Sequence, residues 1–251
     1  MRRPPAVTPL LTGVSRYDKS LSTRGRGAGT FIDAPIIAWL IETADGRILY
    51  DVGCDFAKIA DPAACARHYG GNPFGAPAMH AGQTVPAHLR RFGLGPRDVD
   101  LVFIGHGHFD HAGGLADFPH AEIHIHADEL AAARHGGEAY FPGECELPLR
   151  WRTAGGDYQV CPGVQALCTP GHTAGHMSLL VEIGSTAVVI AGDAADLQEN
   201  IDDEVAPGLC WCDRTDLAIA SIRRLKAEAR SARAQLLPNH DMRRYREIAG
   251  S

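Results

Sequence analysis

No apolar run in this 251-residue chain approaches the ~20 residues that a membrane-spanning helix requires. The longest, residues 34–41 and 186–192, are strand-sized, so no helical membrane span is expected. Basic charge is in deficit: a formal net charge of -6 at pH 7 leaves no broad basic face for nucleic acid or an anionic membrane. A small-molecule partner is expected instead. Cysteine occurs seven times, an odd number without a paired CxxC framework, which argues against a disulfide scaffold and for reduced thiols in a cytoplasmic setting. Cys210 and Cys212 flank Trp211, and loop or strand packing is the better reading for them than a soft metal site. The start MRRPPAVTPLLTGV carries arginines, but prolines and polar residues break its apolar stretch, so it makes a poor secretory signal. Low-complexity segments and close repeats are also missing. What remains, 45% apolar and 22% charged residues, fits one folded globular domain spanning 1–251.

Residues 35–41 and 47–52 read as two strands joined at Asp45-Gly46, a hairpin turn. Residues 55–84 are rich in Ala, Gly and Pro with weak periodicity, and read as an insertion near a site that covers it or makes a homodimer contact. Helices are expected over VPAHLRRFG, over 128–136 and over 216–231. Strands are expected over 99–108, through AEIHIHA, and in most of the chain from Pro148 to 194. Strands then helix, twice over, fits an α+β fold in which two sheets face each other inside two helical layers, an αββα sandwich.

The strand at 99–108 runs into GHGHFDHAGG. In an extended loop His106 and His108, two apart, project the same way, and Asp110 and His111 follow across a turn. Packing gives no reason for four coordinating groups at this spacing, whereas zinc or another first-row divalent ion does. The second HxH, His124 and His126, lacks the DH continuation and reads as ordinary strand. Four donors are too few for two ions, so further ligands are expected at later strand ends. His172 in TPGH, Asp193 in AGDA and His240 in PNHD stand at such places.

HGHFDH, then GH, GD and a late NH, in that order over most of the chain, resemble the metallo-β-lactamase superfamily. The resemblance implies His106, His108 and His172 around a first metal, Asp110, His111 and His240 around a second, and Asp193 bridging them. The histidine at 108 separates the chain from the flavodiiron branch, which usually has Glu there. His176, in a GHTxGH-like pattern, is left a structural role, and Asp117, Asp128 and Asp241 solvated or capping ones. Two divalent ions about 3.5–4 Å apart can lower the pKa of a shared water so that it attacks an acyl carbon, with Asp110 as proton carrier. Zinc is the first choice, and iron, manganese and cobalt accept the same donors.

IDAPIIAWLIETADGRILYDVGCD, HGHFDHAGGL, TPGHTAGHMSLLV and AGDA resemble the acyl-homoserine lactonase branch, which implies lactone hydrolysis and quorum quenching. In that branch a tyrosine in a GDAxYT-like run contacts the substrate carbonyl. Here GDAADL places Asp196 there, to recognise a cationic or hydroxyl-bearing substrate or to point into solvent. Phe109 is the other candidate for substrate contact, and Tyr140, Phe141 and Trp211 are further pocket aromatics. The resemblance leaves rivals: a glyoxalase II-like thioester hydrolase, a hydrolase of a β-lactam or pyridoxolactone ring, an iron sulfur dioxygenase, and a non-catalytic metal or ligand binder. The ribonuclease Z branch is opposed by the acidic balance.

Overall fold

The computed structural model describes residues 5–137 and 139–250. The expectation of one domain over 1–251 therefore extends to residues 1–4, 138 and 251, which lie outside the described ones, as does the start of the N-terminal stretch. The chain opens with β1 (Ala6–Asp18), β2 (Phe31–Glu42) and β3 (Arg47–Tyr50), followed by α1 (Phe56–Ala60), α2 (Pro62–Tyr69) and α3 (Val85–Arg91). Next come β4 (Leu101–Phe103), α4 (Phe109–Ala112), β5 (Glu122–His126), α5 (Ala127–His135), α6 (Pro142–Cys145) and β6 (Arg150–Ala154). The second half holds β7 (Tyr158–Cys161), β8 (Val164–Cys168), β9 (Met177–Ile183) and β10 (Thr186–Ile190). It closes with α7 (Gln198–Asp203), α8 (Thr215–Ala232), β11 (Ala234–Leu237) and α9 (Met242–Ala249).

One sheet has the order β1-β2-β3-β4-β5-β6, the other β11-β10-β9-β8-β7. β1, β2 and β3 pair antiparallel, while β3 through β6 run parallel, as do β10 and β11. Alternation along β2 explains how its continuous apolar run is buried. Ile37, Trp39 and Ile41 point between the sheets, onto Phe103, Leu179 and Val181. Ala38 and Leu40 point outward, into a layer with Val85 and Leu89 of α3 and Leu130 of α5. On the far side Leu225 and Ala229 of α8 cover Leu167 and Val189. The four αββα layers expected from the sequence follow. Among the described residues no helix is long and apolar enough to cross a membrane.

Three departures have local causes. β1 escapes the sequence pattern because Pro9 and the threonines interrupt it, yet β1 lies at a sheet edge, where a missing N–H is tolerated. β4 stops at Phe103, well short of 108. Gly105 N–H donates to the Asp51 carboxylate (2.8 Å) and Gly105 C=O accepts from Met177 of the other sheet (2.9 Å), so the backbone has left the ladder. The 55–84 segment contains α1 and α2, each started by an aspartate, Asp55 or Asp61, accepting from a first-turn N–H. Its Tyr69 and Phe74 pack edge-on against Phe109, and Ala78 bridges to Val14 of β1.

Lys58 of α1 donates to the buried Glu144 of α6 (2.8 Å), tying this segment to the body. Burial, helped by Asp55 and Asp110, outweighs Lys58 and raises the Glu144 carboxyl to about 7 from an ordinary 4.5. The native state thus holds a proton here that the unfolded chain has released, and the stabilisation, complete below about 4.5, is lost as pH rises through 7. Glu144→Gln should flatten that decline. Urea midpoints at pH 5 and pH 8 check it: the wild type should lose more than the variant, and equal losses would refute the assignment.

Candidate metal centre

Every donor expected from the sequence arrives on a loop or a short helical turn at the same end of the two sheets. Glycines allow the loops to crowd. Gly192, at φ +57°, and Gly105 both lie against the Tyr50 hydroxyl, and a Cβ on either would run into it. Tyr50 itself donates to Met177 C=O (2.8 Å), clamping β3 to β9 beneath the site.

His106 Nε2 stands 2.9 Å from His108 Nδ1, which is 3.2 Å from His172 Nε2. Donors bonded at about 2.0–2.1 Å to one tetrahedral ion stand ~3.3 Å apart, so these three nitrogens have a ligand-set spacing. Asp193 faces them with Oδ2, 3.6 Å from His106 and 3.5 Å from His172. The same oxygen is 3.4 Å from His111 Nε2, and Oδ1 is 3.1 Å from His240 Nε2. Asp110 Oδ2 completes the second group, 3.5 Å from His111 and 4.0 Å from His240. All seven expected donors are brought together, in two clusters that share Asp193.

The electrostatics fit cations. Burial, then the neighbouring imidazoles, pushes His106 and His108 well below their ordinary pKa, so both are neutral and free to ligate. Burial also opposes charge on His111 and His240. Asp193 and Asp110 override it, raising His111 well above its ordinary value and His240 to about 10. Among the described residues no lysine or arginine lines the pocket to meet this demand for positive charge. His111 Nε2 is buried without a hydrogen-bond partner, an orphan that a metal would satisfy. The residues present fit a pair of divalent ions.

Several residues that hold the donors carried no signal in the sequence reading. Asp51, in the left-handed region at φ 62°, accepts from His111 Nδ1 (2.7 Å) as well as from Gly105. Such a carboxylate fixes ring orientation and raises basicity. His172 and His240 turn their Nδ1 to the carbonyls of Leu209 and Pro35 (3.2 and 2.8 Å). Asn239 donates to Asp193 Oδ1 (2.9 Å). Glu129, fully buried, accepts from Gly107 N–H (3.0 Å), Tyr140 Oη (2.8 Å), Thr173 Oγ1 (2.7 Å) and Gly175 N–H (3.2 Å), latching the His108 loop to the His172 loop. An aspartate closing a strand, as in LYDVG, could have flagged Asp51; Glu129 sits in a helix start and looks like ordinary first-turn acid.

The other sequence candidates divide. His176 is structural: its Nδ1 pairs with Thr169 Oγ1 (2.8 Å), its Nε2 accepts from Asp193 N–H (2.9 Å), and burial lowers it to about 3. His124 pairs with Tyr158 and Glu122, His126 accepts from Asp128 N–H at the start of α5, and neither reaches the site. Asp241 caps α9. Phe109 is a pocket wall, stacked on Phe141 (5.0 Å), and Tyr140 packs edge-on against His108 (4.6 Å). Trp211 is 45% exposed and lies outside the pocket, and Cys210 Sγ donates to Pro207 C=O. The solvent alternative for Asp196 is overturned. Its side chain is buried, lining the pocket beside Asp110, Asp193 and His240, because the Asp196 carbonyl accepts from His240 N–H (2.8 Å) and folds the loop inward. Burial and the nearby Asp193 raise its carboxyl to about 8. Tyr17 of β1, absent from the sequence candidates, lines the same pocket and pairs with Ser22 (3.0 Å).

Comparison with known proteins gives the chain a family. Residues 34–240 match the model of the metallo-beta-lactamase superfamily. An N-acyl homoserine lactonase of Bacillus cereus is 34% identical over 232 residues, 92% of this chain and 90% of that protein. A structure of a Bacillus thuringiensis AiiA mutant with N-decanoyl-L-homoserine bound at the active site superposes at TM-score 0.86, with 30% identity over 98% of this chain and 97% of that one. Another, an N-acyl homoserine lactone hydrolase with the product N-hexanoyl-L-homoserine bound at the catalytic metal center, gives 0.85 and 30%, over 98% and 96%. Matched in this way over most of its length, the chain belongs to the metallo-beta-lactamase superfamily.

Proposed function

We propose that this protein is a two-metal hydrolase that opens the ring of N-acyl homoserine lactones. The observation that carries the reading is the Asp193 carboxylate, one oxygen turned to His106, His111 and His172 and the other to His240. His106, His108 and His172 would hold one ion, Asp110, His111 and His240 the other, and Asp193 both. The imidazole-rich first set suits zinc, and manganese, iron or cobalt are also compatible. When bound, such ions supply Lewis acidity for the lactone carbonyl and an activated water.

The chain's own groups do the rest. Leu21, Phe74, Phe109 and Leu209 offer the acyl chain an apolar wall next to the donors. Asp110 lines the pocket on the side of His240. As water oxygen bonds to the carbonyl carbon and the ring C–O bond breaks, Asp110 takes the water proton and returns it to the departing alkoxide. The product acid ionises, releasing one proton per ring opened. The 55–84 segment acts as an insertion in a single catalytic domain, walling the pocket through Phe74. Seven free cysteines fit a reducing cytoplasm.

Proton release from N-hexanoyl-homoserine lactone tests the reading. Turnover should fall to background after chelation and return when Zn2+ is restored. Metal-loaded protein that cleaves a glutathione thioester or a β-lactam while leaving lactones intact would sink it.

A further inference from the structure

Asp196 is a buried carboxylate in search of a cation. It is 4% exposed, its Oδ1 has no hydrogen-bond partner, and among the described residues the pocket it lines contains no lysine or arginine. Leaving a buried carboxyl oxygen without a donor is costly, so an oxygen placed this way marks where a cation can be held. Its position says which cation. The donor atoms of Asp196, Asp193 and His240 all lie within 4.8 Å of one another, and the backbone bond from His240 N–H to Asp196 C=O keeps their two loops side by side.

We propose that Asp196 is an additional ligand at the second metal position, joining Asp110, His111, Asp193 and His240, and that it biases this position toward hard, oxygen-preferring ions such as Mn2+. The inference rests on the two-metal reading above. The donor chemistry then differs between the positions. The first has three imidazoles and a share of one carboxylate, a set that favours zinc. The second has two imidazoles, the carboxylates of Asp110 and Asp196 and the other share of Asp193, which shifts preference toward manganese. A further anionic donor also tightens binding while drawing Lewis acidity out of that ion.

The test is ion uptake by the full chain, stripped of metal and titrated with Mn2+ while the free ion is followed by electron paramagnetic resonance. The wild type should bind two Mn2+. Asp196→Asn should keep one at wild-type affinity and bind the second about 10- to 100-fold more weakly, the scale on which groups supporting a metal act. Asp196→Ala, which cannot offer an amide oxygen, should do the same. Titration with Zn2+ against a chromophoric chelator should show a smaller loss. Metal-free Asp196→Asn should melt no lower than the wild type, because a buried carboxyl with an unsatisfied oxygen is replaced by an amide of the same shape. Both variants binding two Mn2+ at wild-type affinity would overturn the proposal, as would a lower metal-free melting temperature, which would make the carboxylate structural. A wild type that takes up fewer than two ions of either metal would instead overturn the two-metal reading, and this proposal with it.

Discussion

Asp110→Asn should lower kcat for opening an N-acyl homoserine lactone by roughly 10²- to 10⁴-fold with metal in excess, the range spanned by positioned general acids and bases. Asparagine preserves the shape and one oxygen, but it cannot accept the water proton or return it to the alkoxide. The environment of Asp110 favours the ionised form that this role needs. Burial works against the charge, yet His111 and His240 hold the carboxyl below its ordinary range. An ion at the second position acts in the same direction. Stopped-flow proton release at saturating lactone checks the prediction, with bound metal counted in both proteins so that a lost ligand is not mistaken for a lost proton carrier. A fall of less than ~10-fold at equal metal content would remove Asp110 from the proton path.

The second large effect lies away from the reacting atoms. Glu129→Ala should destabilise the fold by more than about 4 kcal/mol. It strips the acceptor from two backbone N–H groups and two hydroxyls at once. Each buried donor left unpaired costs about 1–3 kcal/mol, and the hydroxyls can rotate to recover part of it. For a chain of this size that corresponds to a melting temperature lower by roughly 8–16 °C. Glu129→Gln is the finer probe, since its amide would present a donor to groups that are themselves donors. It should lose stability and, because the His108 and His172 loops come unlatched, weaken the first ion more than the second. Thermal melts and metal titration of the glutamine variant provide the check. A glutamine variant as stable as the wild type would show that the latch is dispensable.

The candidate metal donors were readable because their chemistry is written in local patterns. His106, His108, Asp110 and His111 fall within six residues, and His172, Asp193 and His240 each follow a strand. The apolar alternation of β2 and the amphipathic α8 likewise announced the layers, since side-chain period reports which face is buried. Elements with weak or mixed patterns were not readable: β1 with its proline and threonines, and the short helices of the 55–84 segment, whose Ala, Gly and Pro content hides the aspartate caps that start them.

By itself, then, the sequence made the two-sheet architecture legible through periodicity and the seven candidate donors through short spacings and their places at strand ends, while the superfamily came from the resemblance of its ordered motifs. Tertiary structure alone decided how the donors are held and what else joins them. His111 is oriented by Asp51 across 60 positions, and Glu129 reaches partners 22, 44 and 46 residues away. Hydrogen bonds over such distances leave no period in the chain. Whether Asp196 faced solvent or the site was settled by one backbone bond to His240, formed only when β10 and β11 pair and bring their ends together. Burial is a property of the packed chain, and it is burial that turns an ordinary aspartate into a demand for a cation.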